Sequence, residues 1–109
     1  MTEKPRFESL KKIESIEAGE TYVHEHGLKY RVDSVGIDQS LDLEEELHDV
    51  TGYEEGTEPK PFDIKMHPQD ELSDYVLYTQ LEVGSYPAGK KWVRKKGNFL
   101  DHFFENNFD

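Results

Sequence analysis

Between Asp38 and Asp74 the chain carries 13 acidic residues against two basic ones, Lys60 and Lys65, a net charge of −11. The rest of the chain holds 11 acids and 11 bases and is neutral. Net charge speaks to partners and solubility rather than to fold. The flanks and the block are therefore read separately, as a neutral small domain with a strongly acidic insert at about 38–74.

The 109 residues amount to one domain, spanning 1–109. A chain of this size buries roughly 60–70% of its unfolded surface and folds without covalent staples. Apolar and charged residues each make up 34%, and the 13 aromatics argue against general disorder. Cysteine is absent, which excludes disulfides, thiolate catalysis and Cys-based zinc sites. No apolar run approaches the roughly 18 residues of a membrane span, and no signal-peptide core opens the chain. The expectation is a cytoplasmic protein with no membrane partner. Its acidity argues against nucleic-acid binding.

Apolar residues Phe7, Leu10, Ile13 and Ile16 recur every third position, which predicts a short helix over Arg6 to Ile16, broken by Gly19. Thr21 to His24 and Leu28 to Val35 read as a strand pair turning at His26-Gly27, with Tyr30, Val32 and Ser34 on one face. Inside the block, Ser40 can cap a helix carrying Leu43, Leu47 and Val50 on one stripe, ended by Gly52. Tyr53 to Pro61 reads as a loop, Phe62 to Met66 as a short strand, and Pro68 as the first turn of a brief helix through Leu72. Tyr75 to Val83 is the clearest strand, with Tyr75, Leu77, Thr79 and Leu81 alternating against Val76, Tyr78 and Gln80. After a turn cluster over 84–89, Lys91 to Arg94 reads as the next strand. Asn98 can then cap a C-terminal helix that pairs Phe99 with Phe103 and Leu100 with Phe104.

Short, turn-bounded, aromatic-rich strands without βαβ spacing point to a mainly β fold, a small antiparallel barrel or strongly bent sheet. Short N- and C-terminal helices would lie over it as lids.

Two stretches of the flanks carry a recognisable pattern. His24-Glu25-His26-Gly27-Leu28-Lys29-Tyr30-Arg31-Val32 resembles the opening of the bacterial and phage family called domain of unknown function 1653. Val76-Leu77-Tyr78, Leu81, Trp92-Val93-Arg94 and Phe99 are similar to its closing signature. The matches cover 19–37 and 75–104, and the acidic block stands where that family has a few turn residues. The resemblance implies a compact barrel of SH3-like size and no established activity.

Several residues are candidates for a site. Tyr22, His24, Tyr78 and Arg94 suit a polar-rimmed recognition surface, with Trp92 and Tyr30 expected in the core beneath it. His24 and His26 have a spacing that can chelate zinc or copper, with further ligands from His48, His67, His102 or carboxylates. Two histidines flanking a turn are ordinarily surface residues, and no metal or cofactor is expected. Asp38, Asp42 and Glu44 to Glu46 lack the glycine-centred pattern of an EF-hand. Lys90, Lys91, Arg94, Lys95 and Lys96 form a basic cluster around one aromatic, which superficially suits a nucleic-acid strand; the acidic block can neutralise it instead.

The block also offers Asp42, Glu44, Glu45, Glu46 and Asp49 as an acidic surface. In a helix Asp42, Glu45, Glu46 and Asp49 approach the spacing of a decoy for the DNA phosphate backbone. No nucleophile–base–orienter set and no phosphate-cradling glycine loop can be assembled, so enzyme chemistry is not favoured. The reading is a non-catalytic binding module for a protein or small molecule. The rival is an acidic inhibitor acting through residues 38–74.

Overall fold

The computed structural model of the chain describes residues 11–50 and 59–106. Gly27, at φ +99°, turns β1 (Thr21–His24) into β2 (Lys29–Val35), and the Gly27 N–H donates to the carbonyl of His24. The chain then adds β3 (Leu47–Asp49), β4 (Lys60–Phe62), a single 3₁₀ turn at Ile64–Met66 and the one-turn helix α1 (Gln69–Leu72). It closes with β5 (Tyr75–Gln80), β6 (Lys91–Lys95), α2 (Lys96–His102) and β7 (Phe103–Glu105).

These strands form one seven-stranded sheet in the order β4-β3-β6-β5-β2-β1-β7. It is mainly antiparallel, but β3 and β6 run parallel, so the sheet is mixed where a wholly antiparallel one was expected. Its outer strands β4 and β7 do not pair with each other, and the sheet is not closed.

Strand β5 is the middle of the sheet, and all six of its residues are buried. Its alternation splits the core in two. Val76 and Tyr78 join Tyr22, Val32, Trp92, Phe99 and Phe103 on one face. Tyr75 and Leu77 join Ile37, Leu47, Phe62, Ile64, Leu72 and Val93 on the other. The acidic block therefore supplies two strands of the sheet and four side chains of the second core, while most of its described carboxylates are exposed. It is built into the fold, not appended to a self-sufficient neutral domain.

Other expectations change for identifiable reasons. Residues 40–46 are not helical, and Leu47–Asp49 is a strand. Without β3, the outer edge of β6 would present unpaired backbone groups, and that demand outweighs the helical spacing of Leu43, Leu47 and Val50. Leu41 and Leu43 still pack against the second core. Residues 11–16 are likewise not helical, and Lys12 bridges to Phe104 beside the β7 edge. The parts of the expected N-terminal helix at 6–10, of the expected helix end at 51–52 and of the expected loop at 53–58 lie outside the described residues. The strand expected from Phe62 to Met66 stops at Phe62, because the Asp63 carboxylate accepts from the Lys65 N–H at 3.0 Å and starts the 3₁₀ turn. A bulge between Val32 and Ser34 pairs Ser34 with Leu77, so Ser34 leaves the face it was expected to share with Val32. Helix α2 starts at Lys96 and ends at His102, so Phe103 and Phe104 both belong to β7, and the Phe99 and Phe103 rings stack 3.9 Å apart.

Candidate functional site

The first face of the sheet opens into a cleft of about 390 Å³ between the β1–β2 turn, the residues after β5 and the start of α2. Four of the five residues expected in a ligand site line it: His24, Tyr78, Trp92 and Arg94. The fifth, Tyr22, shares their face of the sheet but is covered. Its hydroxyl accepts from the Glu17 N–H at 3.0 Å and donates to the Ser15 carbonyl at 3.3 Å, and burial raises its pKa. It is a core residue beneath the N-terminal segment.

Trp92, 5% exposed, forms the cleft floor. Its indole N–H donates to Gln80 Oε1 at 3.2 Å. The Gln80 amide then donates to the carbonyls of Glu82 and Tyr86 at 2.8 and 2.7 Å. One buried glutamine thus ties the floor to the turn that follows β5. That turn lays Tyr86 edge-on against Trp92, with ring centroids 5.0 Å apart, and Lys90 Nζ lies 5.0 Å from the Trp92 ring. Gln80, Tyr86 and Asn98 were not among the expected site residues. Gln80 gave a signal, being a polar residue at an inward position of the best strand; Tyr86 sat in a turn cluster and gave none.

Arg94 stands two residues from Trp92 on the same face of β6. Its Nε donates to the Tyr78 hydroxyl at 3.1 Å and its Nη1 to Asn98 Oδ1 at 2.6 Å, and its guanidinium lies 5.2 Å from the Phe103 ring centroid. Among the described residues no carboxylate forms an ion pair with it. Burial pushes the Tyr78 hydroxyl up to about 12, with Arg94 pulling the other way, so the phenol stays protonated.

His24 packs edge-on to Phe103 at 4.9 Å and stacks with His26 at 4.6 Å. The His26 backbone N–H donates to its Nδ1 at 3.1 Å, which assigns the proton of the neutral ring to Nε2. Burial, then the nearby charge of Arg94 and of His26 and His102, lowers its pKa to about 3. His24 is therefore a neutral donor at the cleft wall.

His24, Glu25 and His26 each offer one ligand atom within 4.8 Å of the others, the geometry a small metal ion needs. Two of these groups are already engaged, His24 Nδ1 as above and Glu25 Oε1 with His102 Nδ1 at 3.0 Å. Of the other histidines, His67 stacks on Phe62 at the second core, and His48 lies beside Lys90 and Trp92.

The basic cluster does not form one stripe. Lys91 reaches across the opposite face to Asp33 at 3.3 Å and Thr79 at 2.8 Å, and Lys95 lies near the Tyr75 ring. Asp33 lies outside the acidic block, so the block is not what neutralises Lys91. Asp42, Glu44, Glu45 and Glu46 are exposed on the irregular segment before β3, and Asp49 is half-buried within β3. Without the expected helix they do not line one helical face. Among the described residues no helix is long and apolar enough to cross a membrane.

Comparison with protein-family models, curated proteins and solved structures returned no match for this chain.

Proposed function

We propose that the protein is a non-catalytic binding module whose ligand is a small molecule held in the cleft of the first sheet face. The observation that carries this reading is the convergence of His24 and Arg94 on an open, ring-walled space floored by Trp92. Concave, largely apolar sites with a few placed polar groups are the usual form of small-ligand pockets, and about 390 Å³ falls within their range of roughly 300–1,000 Å³. The protein's own hydrogen bonds to Trp92, Gln80 and Arg94 support a preorganised site, which lowers the ordering cost of binding.

The reading keeps the resemblance to domain of unknown function 1653 as part of the proposal. Of the residues quoted for it, His24, Glu25, His26, Leu28, Tyr30, Tyr78, Trp92 and Arg94 line the cleft. It also takes β7-β1-β2-β5-β6, bent at the β2 bulge, as the SH3-like portion of the sheet. The inhibitor reading loses its main support with the helix that would have aligned its carboxylates.

The test is a fragment screen followed by backbone and indole N–H chemical shifts. Saturable shifts should cluster on Trp92, Gln80, His24 and Arg94. Hits that scatter over the surface, or none at all, would remove the cleft as the ligand site.

A further inference from the structure

Counting donors and acceptors at the cleft narrows its ligand. Arg94 has five N–H groups and, among the described residues, uses two, on Tyr78 and Asn98. The neutral His24 ring presents Nε2–H, which has no hydrogen-bond partner among the described residues. Asn98 turns its oxygen to Arg94, leaving its amide N–H groups. Two of the acceptors on the cleft wall are already engaged. Gln80 Oε1 takes the Trp92 indole, and Glu25, the one carboxylate lining the cleft among the described residues, holds His102 through Oε1. A half-buried guanidinium with spare donors and no paired carboxylate among the described residues favours an incoming anion with two acceptor oxygens, since such pairs form parallel hydrogen bonds.

The distance from that donor group to the ring floor sets the rest of the ligand. Arg94 and Trp92 are two residues apart on one strand face, about 7 Å by strand rise. The rings of Trp92 and Tyr86 meet edge to face there, with Tyr30 also on the wall. We propose that the cleft binds small aryl carboxylates, the carboxylate on Arg94 and His24 Nε2–H and the aromatic ring against Trp92 and Tyr86. This rests on the cleft being a small-ligand site and specifies its ligand class.

The probes are 3-phenylpropanoate and its neutral amide, 3-phenylpropanamide, titrated at pH 7 into ¹⁵N-labelled protein. Trp92 is the only tryptophan, so its indole N–H gives one unambiguous signal. The acid should shift that signal and the Arg94 Nε–H saturably, with the amide at least about tenfold weaker. Arg94→Gln should bring acid and amide to equal affinity while retaining a wild-type melt. If that variant melts early, Arg94→Lys replaces it, and the preference should fall severalfold; an undiminished preference would overturn the role of Arg94. Acid and amide binding alike in the wild type would overturn the carboxylate inference and leave the cleft reading standing. No saturable shift at Trp92 with either probe would overturn both.

Discussion

Trp92 donates its indole N–H to Gln80 Oε1 across the β5–β6 ladder, diagonal to the Tyr78–Trp92 pair. The bond joins the residue that floors the cleft to the one that anchors the following turn. Replacing Gln80 with Leu leaves the indole N–H buried and unpaired, which costs about 1–3 kcal/mol, and releases the carbonyls of Glu82 and Tyr86. Urea denaturation should show a loss of that size, with Trp92 emission moving to the red before global unfolding. A loss below about 0.5 kcal/mol would mean the glutamine is not what holds the turn.

Trp92 itself is both core and cleft floor. Trp92→Ala should cost roughly 3–5 kcal/mol, the range for deleting a large buried ring. Trp92→Phe keeps an aromatic ring on β6 and should cost distinctly less, which separates packing from the hydrogen bond. A Trp92→Ala protein with an unchanged melting temperature would show that the ring is a contact surface without a structural share.

His24 gives the fold a pH dependence of defined sign. In the folded chain it stays neutral down to about pH 3, whereas an ordinary unfolded histidine takes a proton near 6.5. Between those values the unfolded state binds the proton that the fold refuses, so stability falls as pH falls. It should be intact above about 6.5 and drop toward pH 3, by at most about 1.4 kcal/mol per pH unit. His24→Asn retains an acceptor for the His26 N–H and cannot titrate. The slope of stability against pH over 4–6 should therefore be shallower in His24→Asn than in wild type. Equal slopes would assign the acid sensitivity to other groups.

Much of this was legible in local patterns. The alternation from Tyr75 onward located the central strand, and Trp92, Arg94, Tyr78 and His24 were on one face because strand parity alone places them there. Tyr22 obeys the same parity yet misses the cleft, since what covers it is Ser15 to Glu17, a tertiary contact with no local signature. Leu43, Leu47 and Val50 failed for a related reason. Their spacing fits a helix, but the unpaired edge of β6 is a demand from residues more than 40 positions away. Charge was the most misleading guide, because it marked 38–74 as an insert while Leu47, Phe62, Ile64 and Leu72 within it were core.

That last contrast yields a direct comparison between charge and packing in one segment. Glu44, Glu45 and Glu46 are exposed, and changing all three to Gln should move stability by no more than about 0.5 kcal/mol at each position, with relief of like-charge repulsion favouring the fold. Leu47, one residue further, is 3% exposed among the residues that cover Leu77 and Val93, and Leu47→Ala should cost about 2–5 kcal/mol. Replacing 40–73 with a short Gly/Ser turn removes five buried apolar side chains of the described residues, Leu47, Val50, Phe62, Ile64 and Leu72, and two strands, and should leave no cooperative unfolding transition. Calorimetry on the three variants decides the matter. A folded, cooperative protein lacking 40–73 would return the acidic block to the status of an appended insert, and would require Tyr75, Leu77 and Val93 to find another cover.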